Sequence, residues 1–351
     1  MKKSNQIALD RIVQKIAGKK NILGAVFCVS KDNDNADIIS ASGEFEVDSN
    51  YYIASINKLF ISAIILRLFY AGKLDLQDKI SVYLPAGILK GLHVYKGHDY
   101  SDELTIAHLV SLTSGLPCYL ADKQPNGKTG MSELEAGRDQ PWPIEKAIAV
   151  VKKMGPHFPP GSRGKARYGD TNHQILSKII ENIEGDAISN VLTNLFKALN
   201  MTNTYVCGDP KAEGYVPFRY KSEIIQIPGF LNSTQNDIIS NAKDQMIFLK
   251  AFFNGHFFPK EKLNGLKTWK SIFFPFKYGI GLQKFQLPWI FSPFQPIPEI
   301  IGHSGSTGSI AFYVPEKQLY ITGTVNQQAM PQVAFQTMMK IIQKVKDEST
   351  K

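Results

Sequence analysis

The 351-residue chain is 43% hydrophobic and 20% charged, proportions of an ordered globular protein, and it contains no low-complexity tract or solenoid repeat. Its length calls for one large domain or two intimately packed ones. The formal net charge of +9 comes from basic residues scattered along the chain, so it points to a mild attraction for anionic surfaces or substrates and not to nucleic-acid binding.

The first stretch, MKKSNQIALDRIVQKIAGKK, has the positive charges of a signal peptide but no apolar core behind them. Ala8, Ile12 and Ile16 recur at i, i+4 and i+8, flanked by Leu9 and Val13. That spacing predicts an amphipathic helix. Two strand-like runs follow, ILGAVFCVS and ADIISASG, separated by the turn-like KDNDNA. From Ser55 to about Ala71 nearly every position is apolar or small, and Gly72 marks a stop. A helix that is apolar all round is a buried helix. Its core, LFISAIILRLF, is 11 residues and contains Arg67, too short to span a bilayer.

Residues 75–235 change character. The helical patterns LTIAHLVSLTSGL, PIEKAIAVVKKM and NHQILSKIIENIEG alternate with Pro/Gly loops, and strand signals are rare. NDIISNAKDQMIFLKAFFNG reads as one further amphipathic helix with a glycine stop. Strands then return in YGIGLQKF, GSIAFYVPE and LYITGTVNQ. The Phe- and Pro-rich segment 275–298 reads as a loop packed on the body, and the polar tail KVKDESTK as unstructured. Cys28, Cys118 and Cys207 are far apart, with no CxxC, so they form no disulfide framework. As written, the chain reads as cytoplasmic. An export signal trimmed from a longer precursor stays open.

Three spots carry candidate chemistry. The first is Ser55-Ile56-Asn57-Lys58. A serine hydroxyl is a poor nucleophile until a base takes its proton. A lysine one helical turn away can do so if burial lowers its pKa from about 10.4. The N–H groups at the helix start offer donors for an oxyanion. The second is Tyr168, between a Pro/Gly-rich approach and a helix; a phenol held near an ammonium can shuttle protons. The third is GHSGSTGSIAFYVPE, a Gly/Ser-rich edge that becomes a strand. There His303 and Ser304 can meet a substrate, and glycines let backbone approach a ligand. Singly, each has an ordinary explanation: a chance SxxK, a packed tyrosine, a turn.

Together, SxxK, Tyr-x-Asp and His-Ser-Gly come in the order that resembles the serine β-lactamase and penicillin-binding superfamily. The similarity is closest to its class C branch: class C β-lactamases, D-Ala-D-Ala carboxypeptidases, D-aminopeptidases and β-lactamase-like esterases. LTIAHLVSLTSGLPCY, PPGSRGKARYGDTNHQIL, LNMTNTYV and IISNAKDQMIFLKAFFNG resemble further segments of that family, so the likeness covers about residues 22–340. The resemblance implies that Ser55 is the acylated nucleophile and that Lys58 and Tyr168 share general-base and general-acid duty. It also implies an oxyanion hole from the N–H groups of Ser55 and Ser306, with Asp170, His303, Ser304 and Gly305 binding substrate. Asn57 receives no role.

Two departures bear on substrate. The third motif is His303-Ser304-Gly305 where class C β-lactamases carry Lys-Thr-Gly, and the second ends in Asp170 where Asn is common. The first weakens a fixed positive charge. The second supplies a carboxylate that can pair with Lys58, keep it protonated and repel an anionic substrate. Both favour ester or peptide hydrolysis over β-lactam hydrolysis. His108 and His173 sit on helical patterns and read as structural, and His93, His98, His157 and His256 show no ligand spacing.

The expected fold is α/β (α+β): an antiparallel sheet flanked by helices, built by residues 1–75 and 236–351, with residues 76–235 as an inserted, mostly helical region. The expected activity is a metal-free, cofactor-free serine hydrolase working through an acyl-enzyme. Its substrate is a small-molecule or short-peptide ester or amide, a D-amino-acid peptide among them, as for an esterase, a D-Ala-D-Ala carboxypeptidase or a D-aminopeptidase, and β-lactamase activity is weak or absent. The alternatives are a transferase using the same acyl-enzyme and a catalytically weak binding or sensor protein.

Overall fold

The computed structural model describes residues 3–32, 36–212, 214–288 and 297–345. Eight strands form the main sheet. In chain order they are β1 (Gly24–Lys31), β2 (Ile38–Gly43), β3 (Lys270–Phe273), β4 (Phe276–Tyr278), β5 (Gln283–Phe285), β6 (Ile300–Ser304), β7 (Ser309–Val314) and β8 (Leu319–Thr324). Their spatial order is β3-β4-β5-β6-β7-β8-β1-β2, and every neighbouring pair is antiparallel. Strands from the two ends of the chain thus share one sheet, Val26 lying opposite Thr324 and Lys31 opposite Leu319. The α+β architecture expected from the sequence is the one observed.

The central strands are apolar on both faces because both faces are covered. Alternate side chains of a strand point to opposite sides. In β1, Ala25, Phe27 and Val29 pack in one layer and Val26 and Cys28 in the other. The first layer holds α1 (Lys3–Gln14) and α5 (Gln332–Lys344). The second holds α2 (Asn57–Tyr70), α3 (Asp170–Glu184) and α4 (Ala242–Phe253). In α2, 14 residues long, only Arg67, Phe69 and Tyr70 are not buried. Its Phe60 ring stacks 3.6 Å from that of Phe248 in α4 and meets Phe196 edge-on. Burying one such side chain contributes about 1.5–3 kcal/mol, which anchors the start of α2 against the body. Among the described residues no helix is long and apolar enough to cross a membrane.

Several local expectations shift. The buried face of the first helix is Asn5, Leu9 and Val13, one position round from Ala8 and Ile12, while Ile16 is buried just past the helix end. Residues 104–116 are helical only over Ile106–Val110. Ser111 and Thr113 bond each other there and Leu112 turns to φ 57°, so local side-chain bonds end the helix early. Residues 236–255 are not one helix. Ile238–Ser240 is a strand between Tyr51–Tyr52 and Tyr205–Val206, and Asn241 then caps α4 by accepting from Asp244 N–H. β5 lies in the expected strand run YGIGLQKF, while β4 begins inside the segment expected to be a loop; 289–296, like most of the polar tail, lies outside the described residues. The α5 helix has no counterpart among the elements predicted from the sequence.

Candidate active site

Ser55 sits in a single 3-10 turn, Ala54–Ile56, that runs straight into α2. The entry is clamped from the β6–β7 turn. Ser309 Oγ donates to Ile53 O (2.8 Å) and Thr307 Oγ1 to Tyr52 O (3.1 Å). Gly305 has to be glycine for this contact: a Cβ there would collide with Ile53 O and Ser309 Oγ and stand 3.0 Å from Ala54 Cβ. Ala54 takes φ 48°, a strained value for a residue with a side chain. The turn is therefore over-determined by its neighbours, which keeps Ser55 half-buried in the lining of a cleft.

Helical spacing brings Lys58 Nζ to 3.0 Å from Ser55 Oγ. The same ammonium donates to Asp170 Oδ1 at 2.6 Å, at the first residue of α3. Tyr168, two residues earlier, lines the same cleft as Ser55 and Lys58, and Lys58 Nζ lies 5.5 Å from its ring centre. The expected nucleophile, lysine and phenol therefore share one cleft, with the lysine in contact with the serine oxygen.

The charge state differs from the first expectation for the lysine. Burial opposes the charge on Lys58, but the Asp170 carboxylate, with Tyr168 and Asp237, outweighs it, and the ammonium pKa is raised. Conversely, burial pushes Asp170 up while the Lys58 ammonium pulls it further down, so Asp170 stays ionised. Tyr168 is pushed up to about 12, by burial first and by Asp170, against the opposing pull of Lys58. At neutral pH the set is ammonium, carboxylate and neutral phenol.

Cys118 holds the second carboxylate oxygen. Its thiol donates to Asp170 Oδ2 (3.2 Å), and the N–H groups of Asp170 and Ala121 donate to its sulfur at 3.3 Å each. Burial raises the thiol pKa far above its ordinary value, so the sulfur remains a neutral donor.

On the strand side, Ser306 lines the cleft. Its N–H, in a turn, donates to no backbone carbonyl among the described residues. His303 is fully buried behind that wall. Its Nδ1–H donates to Ser304 O (2.9 Å), and burial together with Lys58 lowers its pKa to about 3, so the ring is neutral. Ser304 Oγ turns away to donate to Gln283 Oε1 (2.8 Å). Of the strand-side residues proposed from sequence, Ser306 faces the open cleft, while His303, Ser304 and Gly305 build its backing. His108 accepts from Thr105 N–H in a helix cap, and His173 is buried in α3.

Two residues escaped the reading of the sequence. Asp237 lines the cleft from the turn before the short strand, where Tyr52, Thr234 and Asn57 donate to it. Its signal was a lone acid directly before two buried isoleucines. Cys118 followed a matched motif by one residue and carried no signal of its own.

The family model described as Beta-lactamase matches residues 9–343. The chain is 23% identical over 345 residues to the N-acetylmuramyl-L-alanine amidase of Bacillus subtilis, covering 88% of this chain and 74% of that one. It is 27% identical over 213 residues to Protein flp of Staphylococcus aureus, 57% of this chain, and spans only 38% of that relative's length. Its fold matches D-amino acid amidase from Ochrobactrum anthropi, solved with D-phenylalanine, with a TM-score of 0.77 at 17% identity over 97% of this chain and 98% of the other.

Proposed function

Because the chain belongs to the Beta-lactamase family, we propose that it is a serine hydrolase that cleaves an ester or amide through an acyl-enzyme on Ser55. The observation that carries this reading is Lys58 Nζ at 3.0 Å from Ser55 Oγ, with Tyr168 in the same cleft and its ring centre 5.5 Å from that ammonium. In the first half-reaction Tyr168 acts as its phenolate, the minor form at neutral pH, which has lost its own proton to solvent: Ser55 Oγ bonds to the substrate carbonyl carbon as the carbonyl opens to the oxyanion, and the Ser55 proton passes to the Tyr168 oxygen. Lys58, held as an ammonium by Asp170, works as a fixed positive charge that lowers the cost of the phenolate and of the attacking alkoxide. The N–H groups of Ser55 and Ser306 receive the tetrahedral oxyanion. Collapse breaks the bond to the alcohol or amine, which leaves with the proton from Tyr168. Water then attacks the acyl-enzyme by the same proton route and restores Ser55.

The charged cleft residues are Lys58, Asp170 and Asp237, and His303 is neutral, so among the described residues no free cation awaits a substrate carboxylate. This supports ester or amide hydrolysis with weak or no β-lactamase activity. The same reading takes residues 76–235 as a helical insertion in a sheet-bearing body of residues 1–75 and 236–351, and a small molecule or short peptide as substrate. A fluorophosphonate probe followed by peptide mapping tests it. The adduct is expected on Ser55; an adduct elsewhere, or Ser55→Ala with full esterase activity, overturns the mechanism.

A further inference from the structure

Two phenylalanines stand in water at the tip of the β3–β4 hairpin: Phe273 is 49% exposed and Phe274 70%. Hairpin geometry does not ask for aromatic rings there, since tight turns are made by Gly, Asn, Asp and Pro. Phe274 also forms one wall of an apolar groove. Its other walls are Phe276, Phe285 and Leu287 on the sheet side and Phe335 and Met339 from α5. The tip and one side of α5 thus make a continuous apolar surface. Contiguous exposed patches of this kind mark contacts with proteins or membranes.

The charge around the surface separates those two partners. Residues 260–345 hold nine lysines and three glutamates, without arginine or aspartate, so this quarter of the chain carries +6 of the overall +9. Glu299 is held between Lys267 and Lys284. Lys270 and Lys277, on the two strands below the tip, have no carboxylate partner among the described residues. Lys340 follows Met339 on α5 and is exposed. Protein interfaces favour arginine and are depleted in lysine, and a second copy of this chain would bring like charge against like. An anionic bilayer meets both features at once. Apolar rings enter the boundary between headgroups and acyl chains, while lysines stay at the phosphates.

We infer that the β3–β4 hairpin and the adjoining side of α5 form a docking surface for an anionic lipid bilayer, with Phe274 as the inserted ring. The docking is peripheral, since among the described residues no helix is long and apolar enough to cross a membrane. Phe273 connects the surface to the cleft: its ring meets Tyr168 edge-on at 5.8 Å and Phe276 at 5.2 Å. The docked protein therefore holds its cleft beside the lipid headgroups. Lipid binding is measured without turnover, so this inference and the acyl-enzyme reading stand or fall separately.

The test is co-sedimentation of the full chain with vesicles of phosphatidylcholine, alone or with roughly a quarter phosphatidylglycerol. At about 0.01 M salt the partition coefficient is expected to be about tenfold or more higher with phosphatidylglycerol. It is expected to fall about tenfold or more at 1 M salt, where the screening length shrinks from about 30 Å to about 3 Å. Phe274→Ser is expected to lower partition about tenfold or more, and Lys270→Gln and Lys277→Gln about fivefold each. All three positions lie outside the catalytic set, so turnover of p-nitrophenyl butyrate in the absence of lipid is expected to match the parent and reports that each variant is folded. No binding at low salt, or equal binding to both vesicle types, overturns the docking surface. A Phe274→Ser/Lys277→Gln protein that binds like the parent overturns it too, because charge elsewhere is then responsible. A dimer that Phe274→Ser dissociates, in a protein that ignores vesicles, assigns the surface to a second copy and overturns it as well.

Discussion

The two faces of the sheet differ in what they bury. Behind it, α1 and α5 meet the sheet through hydrocarbon: Leu9, Val13, Phe27, Phe312, Met338 and Ile341. In front, an equally apolar layer has a polar seam running through it where α2 begins. Asn57, Lys58, Ser62, His173, Asn236 and Asp237 are all buried there. The seam also contains buried polar atoms with no partner among the described residues, namely Asn57 Oδ1, His173 Nδ1 and His303 Nε2, whereas none lies on α1 or α5. A buried polar atom without a hydrogen bond costs about 1–3 kcal/mol. Both layers bury apolar side chains, but only the front one combines them with a polar seam organised for chemistry. Such local departures from good packing chemistry belong at functional sites.

This division has consequences that substitutions can break. The largest effect is expected at Ser55. Ser55→Ala should lower kcat/KM for p-nitrophenyl butyrate by a factor on the order of 10⁴ or more, with a thermal midpoint close to that of the parent. Next come Lys58→Ala and Tyr168→Phe, each expected to lose about 10²–10⁴ in kcat. The double variant should lose far less than the product of the two, because groups in one proton relay are not additive. Multiplicative losses would separate Lys58 from Tyr168. Lys58→Ala also strands Asp170, so its folded fraction is to be measured by urea titration before rates are compared.

The back face should answer in the opposite currency of stability alone. Ile341 is fully buried, so Ile341→Ala is expected to destabilise by about 2–5 kcal/mol in urea while kcat/KM per folded molecule stays at the parent value. A rate loss there would mean that the two faces are coupled.

The smallest expected effect sharpens the electrostatics of the seam. Both Lys58 and Tyr168 are raised, Tyr168 to about 12. If activity needs the deprotonated phenol, log kcat/KM should climb with a slope near one from neutral pH, with no plateau short of alkaline unfolding. Asp170 raises both groups. Asp170→Asn removes that contribution, so both pKa values fall and the rising limb should move to lower pH by about one unit or more. The loss of one negative charge should also raise the nitrocefin to p-nitrophenyl butyrate ratio about fivefold, the effect of roughly 1 kcal/mol across a wet cleft. An unmoved limb would show that Asp170 does not set the charge of the pair.

Much of this protein is written in local pattern. The run after Ser55 specifies a buried helix because it is apolar at every turn, and helical spacing alone sets Lys58 one turn from Ser55. The continuous apolar runs of β1, β7 and β8 specify strands covered on both sides, and the order of the three motifs identifies the family. The strand Ile238–Ser240, whose signal is mixed and which its two neighbours complete, was not legible; α5 carries a clear amphipathic spacing, with Val333, Ala334, Met338, Ile341 and Ile342 buried, that found no place among the predicted elements. The chemistry of the seam was decided only in three dimensions. Burial of Lys58 by itself argues for a lowered pKa; the carboxylate 112 residues away, at 2.6 Å, reverses the sign. His303, beside the cleft in sequence terms, is buried behind its wall, and Asp237 joins the site through partners as far as 185 residues away. Periodicity records which side of an element a residue occupies. Electrostatic energy depends on distance through space and on exclusion of water, and neither is recorded by spacing along the chain.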